Sequence, residues 1–118
     1  MNILTTGFLA AMALGLATAA SAQGVYGDPD GCRRNSGAGA LGDELTILDS
    51  QGIQFFESGC SLKNKVPIGA RERYFMTCNG EGETWSSAYD VEPLQGRDGY
   101  VLWNIETPEY RTEVLRCR

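Results

Sequence analysis

The four cysteines limit, more than any other feature, what this chain can fold into. An even number of cysteines in a small exported chain predicts two disulfides. They lie 28, 18 and 39 residues apart with no CxxC motif, so neither a zinc knuckle nor a thioredoxin-like redox pair is expected. We therefore expect purely structural cross-links from the four positions Cys32, Cys60, Cys78 and Cys117.

Four cysteines allow three pairings, and all three stay open on the sequence alone. We favour Cys32–Cys60 with Cys78–Cys117. The first bridge would join the N-terminal segment to the end of the first predicted hairpin. The second would tie the C-terminus to the central hairpin. Each bridge is expected to stabilise the fold by about 3 kcal/mol through constraint of the unfolded chain.

The N-terminus predicts export. Residues 1–22 are predicted to be a signal peptide, because an apolar run precedes the A-x-A cleavage site Ala20-Ser21-Ala22; an uncleaved N-terminal anchor is the alternative. Removing 22 of the 118 residues leaves 96, which suits one domain, 23–118. No other stretch is apolar enough to span a membrane, so we expect a periplasmic or secreted protein without membrane attachment after cleavage.

Short segments of alternating polarity predict an all-β fold. Asn79-Gly80 indicates a type I′ turn, because both central residues of such a turn need positive φ. The expected strands are 44–48, 53–57, 71–78, 84–91, 100–105 and 110–117. About six strands joined by tight turns predict an antiparallel meander closed or nearly closed into a small barrel. A two-sheet sandwich is the alternative.

The remaining segments are expected to be irregular. Residues 23–42 are rich in Gly, Asp, Asn and Ser and predict a lead-in with a short edge strand at 25–26. Residues 58–66 predict a loop that contains Cys60. The stretch from Asp28 to Gly31 is typical of a turn. It lacks the distal glutamate of an EF-hand calcium loop, so no metal site is expected there.

The chain has no histidine, which removes the usual base of a Ser-His or Cys-His nucleophile and the commonest zinc ligand. Acidic groups remain. Glu81 and Glu83 flank Gly82 in the central turn, and Glu57 follows two phenylalanines. A glycosidase would need two such carboxyl groups facing each other across a cleft. Solvated turn charges are the favoured interpretation, so we expect neither an enzyme nor a cofactor.

The net charge and the aromatic residues indicate which kinds of partner the protein could bind. The net charge of −5 argues against binding to nucleic acid or anionic membranes, and it permits a basic protein partner. Aromatic side chains could line a barrel mouth and stack on a ligand, although packing in the core is the favoured interpretation. The candidate binding residues are Glu57, Glu81, Glu83, Trp85 and Trp103.

Three segments define a resemblance. They are Phe56-Glu-Ser-Gly-Cys60, Met76-Thr-Cys-Asn-Gly-Glu-Gly-Glu-Thr-Trp85 and Arg116-Cys117. Through them the chain resembles a set of small exported four-cysteine β-proteins of alphaproteobacteria, which implies export and a disulfide-bonded β-fold but no activity. In size, export signal and charge it is also similar to small periplasmic lysozyme inhibitors. Their Ser-Gly-x-x-Tyr-type inhibitory loop is missing, so no functional residue carries over.

These observations predict a non-enzymatic exported protein that works by binding, as a protein-binding or hydrolase-inhibitor-like module. The expected partner is an envelope or extracellular protein, such as a cell-wall hydrolase with a basic cleft. The expected contact loops are 57–65 and 79–83. The alternative is a lipocalin-like carrier of a small apolar ligand, which requires an internal cavity lined by Trp85 or Trp103.

Overall fold

The structure, a computed structural model, describes residues 24–38 and 44–118 of the chain. The predicted signal peptide lies outside these residues. The all-β prediction is confirmed, with one short helix, α1, at Pro29–Asn35. Eight strands are present rather than about six: β1 Tyr26–Gly27, β2 Thr46–Asp49, β3 Gly52–Phe55, β4 Gly59–Ile68, β5 Arg71–Gly80, β6 Glu83–Pro93, β7 Gly99–Asn104 and β8 Arg111–Arg116.

The strands form a closed barrel in which each strand pairs with its neighbours in sequence. All of these pairings are antiparallel, and β1 closes the barrel by pairing with β8, where Tyr26 lies opposite Arg116. The structure thus selects the barrel over the sandwich. Closure satisfies backbone groups that an open sheet would leave at its edges.

The barrel interior holds the core. Alternate residues of β5 point inward, as the alternating pattern predicts. Tyr74, Met76 and Cys78, predicted to share one face of β5, are all buried. Within the described residues, one contiguous buried cluster fills the barrel: Tyr26, Leu48, Ile53, Cys60, Tyr74, Met76, Cys78, Val91, Leu102 and Val114.

Helix α1 corrects the expectation of an irregular lead-in. Asp28 is its N-cap, with a carboxylate oxygen that accepts a 2.7 Å hydrogen bond from the Gly31 amide, and Pro29 occupies the first turn. The same oxygen accepts a 3.1 Å bond from the Thr46 amide of β2. The residues interpreted as a simple turn therefore start a helix and fix it to the sheet. Gly31 permits this close approach, because a Cβ there would lie 2.2 Å from the Thr46 carbonyl oxygen.

The expected loop at 58–66 is wrong, since β4 begins at Gly59 and extends for ten residues. Its polar residues are exposed and alternate with inward positions only as far as Leu62. A register shift between Leu62 and Asn64 then breaks the alternation along β5. Because of this β-bulge and the polar Lys-Asn-Lys sequence, the segment lacks the regular alternation of polarity by which a strand is predicted.

The central hairpin is confirmed, but its turn lies two residues later than predicted. Gly80 pairs with Glu83, so Glu81 and Gly82 form the two-residue loop. Both have positive φ, 51° and 80°, as a type I′ turn requires. Asn79 and Gly80 instead belong to β5, where the Asn79 side-chain oxygen accepts a 2.9 Å hydrogen bond from the Thr84 hydroxyl.

Two disulfides form, as predicted, but the favoured pairing is wrong. Cys60 bonds Cys78, its direct partner in the β4–β5 register, with Cα atoms 3.9 Å apart. Cys32 of α1 bonds Cys117, which follows β8, with a Cα separation of 5.2 Å. The pairing depends on β4 being a strand and on barrel closure, which brings the C-terminus next to α1. Neither feature is local in sequence.

The cross-links agree with export, because disulfides persist in oxidising compartments. Across residues 24–38 and 44–118, no helix has the length and apolar character needed to cross a membrane.

Candidate functional site

Four of the five predicted binding residues meet at the tip of the β5–β6 hairpin. Together with Ser58 and Gly80 they line a depression of about 290 Å³, which we call the acidic tip: Glu57, Glu81, Glu83 and Trp85. Glu57 reaches it from the turn after β3, and the other three come from the hairpin. The fold thus joins two loops that are more than twenty residues apart in the sequence.

A close backbone contact holds the two loops together. A Cβ on Gly80 would lie 2.8 Å from the Glu57 carbonyl oxygen and 2.7 Å from the Ser58 Cβ, so only glycine lets the hairpin approach this turn. The turn itself is closed by a 2.7 Å hydrogen bond from the Phe55 amide to the Ser58 carbonyl oxygen. Ser58 and Gly80 both fall within the predicted contact loops 57–65 and 79–83, although neither was among the candidate binding residues.

Trp85 forms the aromatic side of the acidic tip. It lies opposite Cys78 in the β5–β6 register, so the Cys60–Cys78 disulfide braces the strands directly beside it. Despite this support, 41% of Trp85 is exposed. A large aromatic ring on a braced strand, open to solvent, is typical of a contact residue in an interface.

The electrostatics of the tip are one-sided. Glu81 and Glu83 are exposed, and within the described residues neither forms an ion pair. Over the same residues, no three His, Cys, Asp or Glu side chains lie close enough to hold a metal ion. The glutamates therefore surround the depression without converging on one point, an arrangement that suits a distributed cationic surface.

Trp103, the fifth predicted binding residue, lies elsewhere. It is on the outer wall of the barrel, only 5% exposed, with the Arg111 guanidinium carbon 3.8 Å from its ring centroid and that of Arg71 at 5.7 Å. Its neighbour across the β6–β7 register is Asp90. We therefore leave Trp103 out of the proposed site.

Asp90 is the centre of a closed ionic cluster on this wall, which we call the wall cluster: Arg71, Arg73, Asp90, Trp103 and Arg111. Asp90 is 1% exposed and accepts 2.7 Å bonds from the Nε atoms of Arg71 and Arg73, plus a 3.0 Å bond from Arg73 Nη2. The hydrogen bonds from Arg73 are the main cause of the lowered pKa of Asp90, and the single bond from Arg71 adds to it.

A second depression, of about 620 Å³, lies beside the β6 strand and was not predicted. We call it the β6 groove, and its lining includes Phe75, Trp85, Ser86, Ala88, Ile105 and Glu106. One sequence signal does point to it. Phe75 is apolar but out of phase with the inward-facing Tyr74 and Met76, so alternation places its ring on the outside of the barrel, where it is exposed.

Comparison of the chain with protein-family models, with curated proteins and with solved structures finds no match. The resemblances inferred from the sequence therefore stay predictions.

Proposed function

We propose that this protein is an exported, non-enzymatic binding module that engages a basic partner protein through the acidic tip. One observation supports this most directly: Glu57, Glu81, Glu83 and Trp85 line the same depression. Acidic side chains around an exposed tryptophan offer the two features that recognise a Lys- or Arg-rich surface, charge complementarity and an aromatic face for cation–π contact.

The frame behind the tip supports binding with little ordering cost. The two-residue turn, the Gly80 contact and the Cys60–Cys78 bridge restrict the loops before any partner arrives. A surface that is already ordered loses less conformational entropy on association. The net charge of −5 adds attraction toward a basic partner during encounter.

We infer binding rather than catalysis from the chemistry available. The chain contains no histidine, and the three glutamates that line the acidic tip are exposed. A cell-wall hydrolase with a basic substrate cleft has the surface chemistry that would fit, which makes the protein inhibitor-like. Such a partner also belongs to the compartment that the two disulfides favour.

The carrier alternative has less support. It needs an interior cavity lined by Trp85 or Trp103, whereas Trp85 lies at the hairpin tip and Trp103 on the outer wall. A contiguous cluster of buried side chains occupies the barrel interior. A depression of about 610 Å³ at the barrel mouth, lined in part by Phe55, Tyr89 and Leu102, is where a small ligand would have to enter.

The test is inhibition of hen egg-white lysozyme, a basic wall hydrolase, by the oxidised 23–118 domain at micromolar concentration. We expect inhibition that weakens at high salt and that Glu81→Gln/Glu83→Gln lowers at least about tenfold. The matched control, Glu92→Gln/Glu109→Gln, changes the net charge equally, breaks no ion pair among the described residues and leaves the tip intact. Absence of inhibition by the wild type contradicts the hydrolase form of the proposal, and equal inhibition by both double variants contradicts the role of the tip.

A further inference from the structure

The barrel is closed, but the first half of β6 extends beyond the end of β7 and, in the part of the chain that the structure describes, has an unpaired edge there. β6 pairs with β5 along its length, but it pairs with β7 only from Tyr89 onward. The last backbone bond on that side is a 3.1 Å bond from the Ile105 amide to the Ala88 carbonyl oxygen, after which the chain turns away from β6. Within the described residues, nothing pairs with the backbone of β6 from Glu83 to Ser87 on this side.

The hydrogen-bonding pattern between β5 and β6 shows which backbone groups of β6 are left unpaired. Gly80 and Glu83 flank a two-residue turn, so they form a hydrogen-bonded pair, and the bonded positions of β6 toward β5 continue at Trp85 and Ser87. Thr84 and Ser86 therefore direct their N–H and C=O groups away from β5. Ala88, two residues further along β6, also directs its carbonyl oxygen away from β5, where it accepts the bond from the Ile105 amide, and this agrees with the assignment. Thr84 and Ser86 are both exposed.

The other projecting edge of the barrel differs. β4 pairs with β3 only as far as Ser61, and the rest of its outer edge carries Lys63, Lys65 and Pro67 together with the bulge. Lysine, proline and bulges are the devices by which native sheets prevent edge-to-edge pairing. The stretch of β6 from Glu83 to Ser87 contains no lysine, no proline and no bulge.

The surroundings of the open edge indicate the occupant. Glu83 and Trp85 lie on one face of β6, whereas Ser86 and Ala88 lie on the other with Phe75, their diagonal or direct neighbour on β5. The β6 groove runs along this edge and ends at Ile105 and Glu106. Lys63 and Glu106 both line the groove, whereas the acidic tip, which shares Trp85 with it, adds three glutamates, so the excess negative charge favours a basic segment. The same excess disfavours a second copy of this acidic chain, whose own edge would bring like charges together.

We propose that the β6 edge from Glu83 to Ala88 accepts an extended segment of the partner protein as an added strand, with basic side chains on the Glu83–Trp85 face and apolar side chains on the Phe75–Ala88 face. This inference rests on the proposed function, because it specifies how a basic partner meets the acidic tip. Backbone bonds to Thr84 and Ser86 supply the pairing, and the groove receives alternate side chains.

The test uses a blocked seven-residue peptide of alternating lysine and valine, titrated into the oxidised domain by calorimetry. Ser86→Pro removes one outward amide and leaves the β5 ladder intact, because proline is tolerated at an edge position that faces solvent. Ser86→Ala is the matched control, since it keeps the amide. We expect Ser86→Pro to lower affinity at least about tenfold and Ser86→Ala to leave it within about twofold.

Peptides methylated on alternate backbone amides test the pairing on the wild-type protein, independently of whether Ser86→Pro folds. One of the two methylation sets should lower affinity about tenfold and the other should not. No binding of the unmodified peptide, or equal binding of both methylated sets, would overturn the added strand. Loss of binding in Glu81→Gln/Glu83→Gln with full retention in Ser86→Pro would overturn the edge pairing while leaving the acidic tip as the contact.

Discussion

The two tryptophans of this chain lie in opposite surroundings, although both are close to carboxylates. Trp103 is covered by arginines in the wall cluster, where Asp90 accepts bonds from two guanidinium groups. Trp85 is exposed at the acidic tip, where Glu81 and Glu83 have no cation among the described residues. In the wall cluster both carboxylate oxygens of Asp90 are bonded by arginines, whereas Glu81 and Glu83 at the acidic tip form no ion pair within the described residues.

The difference comes from strand register. Arg73, Asp90, Trp103 and Arg111 are successive partners across β5, β6, β7 and β8, so opposite charges and rings stack in one row on the outer wall. The tip lies beyond the last rung of the β6–β7 ladder, so no residue of β7 pairs with Glu83 or Trp85. The same residue types therefore hold the barrel together in one place and remain available for contact in the other.

The largest expected effect is on the wall. Asp90→Asn removes the only carboxylate of the wall cluster and leaves two arginines held together without their counter-charge. We expect a loss of about 3 kcal/mol in the free energy of unfolding. Urea denaturation followed by tryptophan fluorescence measures it. A loss no greater than that of a substitution at the tip would break the contrast between the two regions.

The pH dependence of stability sharpens this prediction. Since folding lowers the pKa of Asp90, its contribution is complete above the unfolded value, about 3.9, and is lost as the pH falls toward the folded value. The unfolding free energies of wild type and Asp90→Asn should therefore differ most near neutrality and converge below about pH 4. A constant gap from neutral to acid pH would show that the carboxylate charge is not what stabilises the wall.

A smaller effect is expected from the ring contact. Arg111→Gln removes the guanidinium 3.8 Å from the Trp103 centroid. We expect a loss of about 1 kcal/mol, together with a change in Trp103 emission as the ring becomes more exposed. Arg33→Gln, a change in the exposed last turn of α1, is the control and should be neutral within about 0.5 kcal/mol. Equal effects from the two variants would argue against the cation–π contact.

The smallest effect on stability is expected at the tip. Glu81→Gln/Glu83→Gln removes two exposed charges that have no cation within the described residues, so the free energy of unfolding should change by less than about 0.5 kcal/mol. The same variant should lose affinity for the basic partner or peptide. A large loss of stability would mean that the tip, like the wall, is part of the scaffold.

Sequence patterns predict much of this fold because they are local. Alternation in β5 places Tyr74, Met76 and Cys78 inside, and turn chemistry predicts both central hairpin arms. The cysteine pairing could not be predicted, because Cys60 meets Cys78 only through a bulged strand and Cys32 meets Cys117 only through barrel closure. Helix α1 was missed because glycine and proline usually end helices, whereas here Asp28 caps the first turn.

The candidate site also has one part that the sequence predicts and another part that it does not. The turn glutamates and Trp85 are near one another in sequence, so their neighbourhood was predictable. The approach of Glu57 depends on Gly80, which was assigned to a turn but whose missing Cβ permits a close contact between loops. The open edge of β6 depends on where β7 ends relative to β6, a property of the barrel stagger that no single segment of the sequence encodes.

Amide hydrogen exchange by NMR tests the central claim most directly. In the free protein, the amides of Thr84 and Ser86 should exchange rapidly, while those of Trp85 and Ser87, which are bonded to β5, should be protected. Addition of the lysine–valine peptide should protect Thr84 and Ser86. Protection of these two amides in the free protein, or no change in them when the peptide binds, would contradict the account.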